Sequence, residues 1–269
     1  MVGKFIEYGN YVDLYTYEKE PSFKRKKEVV FYLDSEEVDV CNKKIKRLKW
    51  DESISYGRRI NNINATSRHF TRLALNALKK NGRPLFVTFT FATDIKDVTA
   101  GYKLFRLAMQ RFRNRYGSKF SYIAVPEWQP KSGRVHYHSL IWGLPDALGD
   151  VYSPAPNSKL IRVGIERKTR PLAKLWKHGF VDCRQTNGSD RLVVYLVKYI
   201  AKMFDNPLLI KLKIFTRSKN LGNYSVFKTQ NVGIFFQYLL DDTCELTYDK
   251  TITTRYFGTI TFKTYKRYG

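Results

Sequence analysis

Two runs of β-forming residues, Phe120–Trp128 and Val135–Trp142, stand on either side of Pro130-Lys131-Ser132-Gly133. So short a connection, rich in turn residues, gives the chain room only for a reversal, and the runs read as a hairpin. A hairpin pairs its strands antiparallel, which argues against a doubly wound parallel sheet. Helices and further strands surround it. Pro84–Ala92 (PLFVTFTFA) alternates and is rich in β-formers, so it reads as a strand. Asp94 can cap a helix in which Val98, Tyr102, Phe105, Met109, Phe112 and Tyr116 recur at steps of three and four, with Lys103, Arg106, Arg111, Arg113 and Arg115 on the remainder. After a loop with Pro145, Pro154 and Pro156, Pro171–His178 reads as a short helix stopped by Gly179. Phe180–Gln185 reads as a strand, and Arg191–Phe204 as a helix ended by Asp205-Asn206-Pro207. The expected class is α+β: a central antiparallel β-sheet with helices packed on one face.

Three segments follow. Residues 1–80 form a basic N-terminal extension, with strand-like runs such as Val29–Leu33 and a helix from about Ile54 to Lys80. Arg58, Arg59, Arg68 and Arg72 lie along that helix, as a solvated face or a DNA-contacting arm, and Asn81-Gly82 stops it. Residues 81–205 hold the core. Residues 206–269 are strand-rich, with Thr259–Lys263 alternating clearly, and complete or flank that core.

The charge is one-sided: 48 Lys and Arg against 24 Asp and Glu, a formal +24. Such a surplus repels itself unless a polyanion neutralises it, and nucleic acid is the first candidate partner. No stretch reaches the ~20 apolar residues needed to span a bilayer, so no membrane partner is expected. Aromatics make up 15% of the chain, and rings mixed with lysines suit single-stranded nucleic acid. Three widely spaced cysteines (41, 183 and 244) argue against disulfides and Cys-based zinc sites, and the start lacks an apolar signal core. A cytoplasmic setting, in a prokaryotic or infected host cell, is the expectation.

Two local patterns carry chemistry. In His136-Tyr137-His138, residues i and i+2 of a strand point to one side, so both imidazoles can reach one ion. Glu127, across the hairpin, can add a hard oxygen. Two imidazoles and a carboxylate leave positions open for a phosphate, with Mg²⁺ or Mn²⁺ as the ion. The second pattern is Tyr195-Leu196-Val197-Lys198-Tyr199-Ile200-Ala201-Lys202. At about 100° per residue, Tyr195, Lys198, Tyr199 and Lys202 share one face, opposite Val193, Leu196, Val197 and Ile200. The expected helix packs its aliphatic side on the sheet and presents two phenols and two ammoniums. A phenol can attack a phosphodiester whose charge is neutralised by a metal and lysines, and the phosphotyrosine bond stores the energy needed to rejoin the strand.

FVTFTF (86–91), the block from Glu127 through GRVHYH (133–138), and YLVKYIAK (195–202) resemble, in order, the three motifs of HUH-superfamily rolling-circle replication initiators of the two-tyrosine type. LWKHGFVDC (175–183) resembles the strand leading into their catalytic helix. The resemblance covers about residues 84–204. Relaxases, whose tyrosine precedes the histidines, match less well. The resemblance implies an antiparallel sheet, related to RRM and ferredoxin-like folds, with both histidines on a central strand. It implies His136 and His138 as metal ligands with Glu127 as the third, and Tyr195 and Tyr199 as nucleophiles forming a 5′-phosphotyrosine. Lys198 and Lys202 would orient the phosphate or a metal-bound water.

Further residues take simpler readings. Arg134 and the basic stretch Lys211, Lys213, Arg217 and Lys219 are candidate DNA contacts, the stretch being equally readable as a solvated edge. His178 reads as a helix cap, His69 has no assigned role, and Phe86, Phe89 and Phe91 read as sheet core. Trp128 and Trp142 read as packing. No G-x-x-x-x-G-K-[ST] occurs, so a separate host helicase and polymerase would act beside the protein on single-stranded DNA at an origin or hairpin. A single-strand transposase and a non-enzymatic nucleic-acid binder, including a basic virion or ribosomal protein, remain open at this point. The order of attack by the two tyrosines is not legible.

Overall fold

The computed structural model describes residues 2–19, 47–128, 133–145, 171–204, 214–233, 244–254 and 258–268; in the first helix, side chains are described from residue 63. Val29–Leu33, the turn residues Pro130–Ser132, Pro154, Pro156, Asp205–Pro207, Lys211 and Lys213 lie outside the described residues, as do the side chains of Arg58 and Arg59. The chain forms two compact units, Met1–Asn62 with Tyr224–Gly269, and Ile63–Asn223.

In the first unit, strands from both chain ends make one antiparallel sheet. β1 (Val2–Tyr8) and β2 (Tyr11–Tyr17) form a hairpin, and β8 (Ser225–Thr229), β9 (Cys244–Thr254) and β10 (Gly258–Arg267) join it in the order β8-β1-β2-β10-β9. Phe5, Val12, Leu14 and Val232 form its apolar cluster, with Tyr265 against them.

The second unit is the α+β core. Helix α1 (Arg47–Asn81) begins ahead of it and is longer than expected. Within the unit, α1 buries Phe70, Leu73, Ala74, Ala77 and Leu78, spaced as a helical stripe, and Arg72 is buried with them while Arg68 stays exposed. Gly82 ends it with φ 71°, its N–H returning to Leu78 O at 3.0 Å. The sheet runs β6 (Gly179–Gln185), β3 (Leu85–Phe91), β5 (Val135–Trp142), β4 (Ser121–Trp128), β7 (Thr216–Arg217), with every pair antiparallel. The α+β class and the central antiparallel sheet stand as expected.

Helices cover both faces, not one. Odd positions of β3 and β5 meet α2 (Val98–Tyr116) and α3 (171–176): Phe89 packs on Phe105, Phe112 and Trp176, and Tyr137 stacks on Phe105 at 4.1 Å. The next residue along, His138, stacks on Tyr199 of α4 (Arg191–Phe204) at 4.2 Å. Neighbours in a strand point to opposite faces, so α4 lies across the sheet from α2. Phe86 goes with it. It was read as core with Phe89 and Phe91, but its even position turns it onto the α4 face, beside His138.

Local caps differ in detail. Asp97, not Asp94, caps α2 by accepting from Thr99 N at 2.8 Å, because the cap must immediately precede the first helical residue. Asp94 pairs instead with Lys96 and Arg134. Arg111 is no surface decoration: it donates to the carbonyls of Leu175 and Trp176 and bonds His178 Nε2 at 3.2 Å, supplying the cation at the α3 C-terminus that His178 was read to provide. Burial and that guanidinium hold the His178 imidazole below its ordinary pKa.

Gly179 opens β6 with φ 147°, and a Cβ there would lie 2.3 Å from Thr90 O and 2.4 Å from Ala92 N, both backbone atoms. Gly179→Ala is expected to cost about 2–3 kcal/mol and lower the midpoint of thermal unfolding, followed by circular dichroism, by on the order of 5–10 °C. An unchanged midpoint would show that β6 shifts freely. Among the described residues, no helix is long and apolar enough to cross a membrane.

Candidate active site

β5 sits at the centre of the core sheet, with β3 and β4 on its two sides. The register places Thr90 and Glu127 opposite His136, and Thr88 and Val125 opposite His138. Alternation therefore gathers Thr88, Thr90, His136, His138 and Glu127 on the α4 face. Thr88 Oγ1 bonds His138 Nδ1 at 3.1 Å, and Thr90 Oγ1 bonds His136 Nδ1 at 3.2 Å. Each imidazole is thus fixed through Nδ1, leaving its Nε2 for other chemistry. Both rings are buried; among the described residues His136 Nε2 has no hydrogen-bond partner, while His138 Nε2 lies 2.7 Å from Glu127 Oε2. The threonines were not singled out from the sequence. Their signal is Thr-x-Thr in the strand preceding His-x-His, at the same spacing.

α4 brings the second half. Val193, Leu196 and Ile200 are buried, as their spacing requires, but so is Tyr199, at 8% exposure, whereas Tyr195 remains 44% exposed. The sequence reading put both phenols on the side away from the packing surface. An arc of about 100° instead straddles its edge, so the phenol nearer the sheet is drawn in. Tyr199 lies flat on His138, its hydroxyl donates to the Tyr195 oxygen, and the two phenol rings meet edge-on at 5.2 Å. Phe86 closes the cluster, 5.7 Å from the Tyr195 ring and 5.8 Å from that of His138. Both hydroxyls thus lie on the same side of the sheet as both imidazoles.

Lys202, one turn beyond Tyr199, is 3.2 Å from Glu127 Oε1, and its ammonium stands 5.1 Å from the centre of the Tyr199 ring. Glu127 therefore joins strand to helix, one oxygen on His138 and the other on Lys202. Burial pushes its carboxyl pKa up, but the hydrogen bonds from His138 and Lys202 outweigh this and hold it below its usual value. Burial, helped by His138, lowers the His136 pKa and favours its neutral form. Burial also raises the Tyr199 pKa, as do its hydrogen bond to Tyr195 and the nearby Glu127 carboxylate.

Six of the expected site residues meet here: His136, His138, Glu127, Tyr195, Tyr199 and Lys202. Lys198 is exposed, and no described contact ties it to them. Among the described residues, no group of three or more His, Cys, Asp or Glu stands in ready-made metal-ligand geometry; Glu127 is engaged by His138 and Lys202 instead. Arg134 pairs with Asp94 at 3.3 Å. Arg217 donates to Gly222 O and Asn223 Oδ1, bracing a turn, and Lys219 is exposed. His69 packs against Phe215.

Residues 84–204 match the family model of the replication-associated protein ORF2. That stretch holds every member of the cluster. A replication-associated protein ORF4 of Chlamydia phage 1 is 28% identical over 103 residues, which are 38% of this chain and 25% of that protein. The chain thus spans about a quarter of the length of this relative. No solved structure matches it significantly.

Proposed function

We propose that this protein initiates phage DNA replication by nicking and rejoining single-stranded DNA through a tyrosine. The observation that carries this reading is the meeting of two phenols, two imidazoles, a carboxylate and an ammonium on one face of one sheet. The family match over residues 84–204 and the phage relative support it.

The donor set suits a divalent ion. His136 Nε2 is a buried polar atom with no partner among the described residues, and its neutral form is favoured. His138 Nε2 and Glu127 lie beside it. A threonine hydroxyl can donate or accept, so Thr88 serves His138 whether Nε2 carries the proton given to Glu127 or offers its lone pair. His136, His138 and Glu127 would hold Mg²⁺ or Mn²⁺ once Glu127 leaves His138. Bound there, the ion would draw charge from the scissile phosphate.

The chain's own groups do the rest. Tyr195 Oη attacks phosphorus and loses its proton; the bond from phosphorus to the 3′ oxygen breaks, and that oxygen takes up a proton. The product is a 5′-phosphotyrosine and a free 3′-hydroxyl. Reversal by any 3′-hydroxyl rejoins DNA without a nucleotide cofactor, since one phosphodiester is exchanged for another. Lys202 neutralises charge beside the phosphate, and Tyr199 stands one turn away for a second transfer.

The test is direct. Incubated with labelled single-stranded oligonucleotides and Mn²⁺, the protein is expected to form a denaturation-resistant protein–DNA adduct that EDTA abolishes. Salt-sensitive binding without any adduct, over a library of sequences and hairpins, would leave a non-enzymatic binder.

A further inference from the structure

The sheet of the first unit carries an arrangement that the nicking chemistry does not use. One row of cross-strand neighbours runs over all five strands: Lys228 opposite Lys4, Lys4 opposite Tyr15, Tyr15 opposite Phe262, Phe262 opposite Lys250. Partners in register share a face, so the row sets two aromatic rings at the centre and three ammoniums around them. The Tyr15 and Phe262 rings are 4.7 Å apart, Lys4 Nζ lies 4.4 Å from the Tyr15 ring centre, and Tyr248, 47% exposed in the next row, adds a third ring 5.5 Å from Phe262. Lys228 and Lys250 are exposed, and Lys4, Tyr15 and Phe262 partly so. No acid interrupts the row. In the adjacent row Asp13 is buried and takes hydrogen bonds from Tyr8 and Thr264, and at the end of the face Glu245 lies opposite Lys266 and bonds Tyr268.

We propose that this face is a second DNA contact, on which a single strand stacks its bases over Tyr15, Phe262 and Tyr248 while Lys228, Lys4 and Lys250 take its phosphates. Lysines on edge strands also blunt edge-to-edge association, and β8 and β9 are edges. That explanation leaves out Lys4, on an inner strand, and the ring pair aligned with it. Stacked rings bordered by positive charge bind single strands of any sequence, and a duplex hides the base faces they need. Five strands at about 4.8 Å span roughly 19 Å, room for several nucleotides. The choice of DNA over RNA rests on the nicking reading of the second unit; the surface itself does not.

The experiment uses the full chain in EDTA, with a fluorescent oligothymidylate of about 15 nucleotides, read by anisotropy. Lys228→Glu with Lys250→Glu is expected to weaken binding at least about tenfold. Lys103→Glu with Arg113→Glu, matched in charge and exposed on α2, is expected to weaken it less than about threefold. Tyr15→Leu with Phe262→Leu keeps apolar bulk but removes the flat rings, and is expected to cost at least about fivefold. Equal losses from the two charge-reversed proteins, or undiminished binding by the leucine pair, would overturn the proposal. Should the leucine pair fold poorly, the charge-reversed pairs decide alone. Adduct formation on a short cleavage-site oligonucleotide with Mn²⁺ is read separately. Its failure in the unaltered protein would count against nicking and leave the anisotropy result standing.

Discussion

Protein carrying Tyr195→Phe is expected to lose covalent attachment to DNA by a factor of about 10³ or more, whereas Tyr199→Phe should keep the first attachment within about tenfold. The asymmetry follows from placement on α4. Tyr195 is 44% exposed, so a phosphate can approach its oxygen without moving the helix. Tyr199 is 8% exposed, stacked on His138, and has its proton committed to the Tyr195 oxygen. A donor aimed at that oxygen stabilises the negative charge that grows there as the proton leaves. Tyr199 can itself act only after this hydrogen bond is broken, which loading of Tyr195 with a nucleotide would do. Tyr199→Phe should therefore stop at one transfer and accumulate the first adduct. Mass spectrometry of protease-digested adduct should locate the nucleotide on Tyr195. Equal loss in the two variants, or a nucleotide found on Tyr199 in the unaltered protein, would refute the order.

What the sequence made legible was local. The hairpin, the β3 alternation and the bounds of α4 follow from patterns within about a dozen residues, where side-chain periodicity and turn chemistry dominate. Periodicity alone also put His136 and His138 on one face. The misreadings arose where a second element sets the outcome. Phe86 looks like Phe89 and Phe91 until one asks which face holds α2, since alternation separates two faces without saying which is covered. Tyr199 looks as accessible as Tyr195 until the helix is docked, and docking leaves one phenol 44% exposed and the other, one turn away, only 8%. Arg111 reads as one basic residue among five, and only the nearby end of α3 makes it a cap. The first unit is the extreme case. Phe262 pairs with Tyr15 across nearly the whole chain, and no local pattern announces a partner so distant in sequence.

His136→Ala and His138→Ala are each expected to reduce adduct formation by about 10³ or more, with little recovery on raising Mn²⁺. Thr88→Val and Thr90→Val should behave differently. Neither threonine touches the reacting atoms; each holds one imidazole through Nδ1, at 3.1 and 3.2 Å. Valine has nearly the same shape and suits a strand, so the sheet should survive while the ring loses its anchor. Loss of such an outer partner typically costs about 10–100-fold in metal affinity or activity, and the expected cost here is of that size. Because the ligands themselves remain, the deficit should shrink as Mn²⁺ is raised: the midpoint of the metal titration shifts while the plateau is nearly restored. A structural role for the threonines would instead lower the plateau and leave the midpoint in place. If the histidine variants also recovered fully at high Mn²⁺, the imidazoles would not be ligands, and their stacking on Tyr199 would have to explain their position.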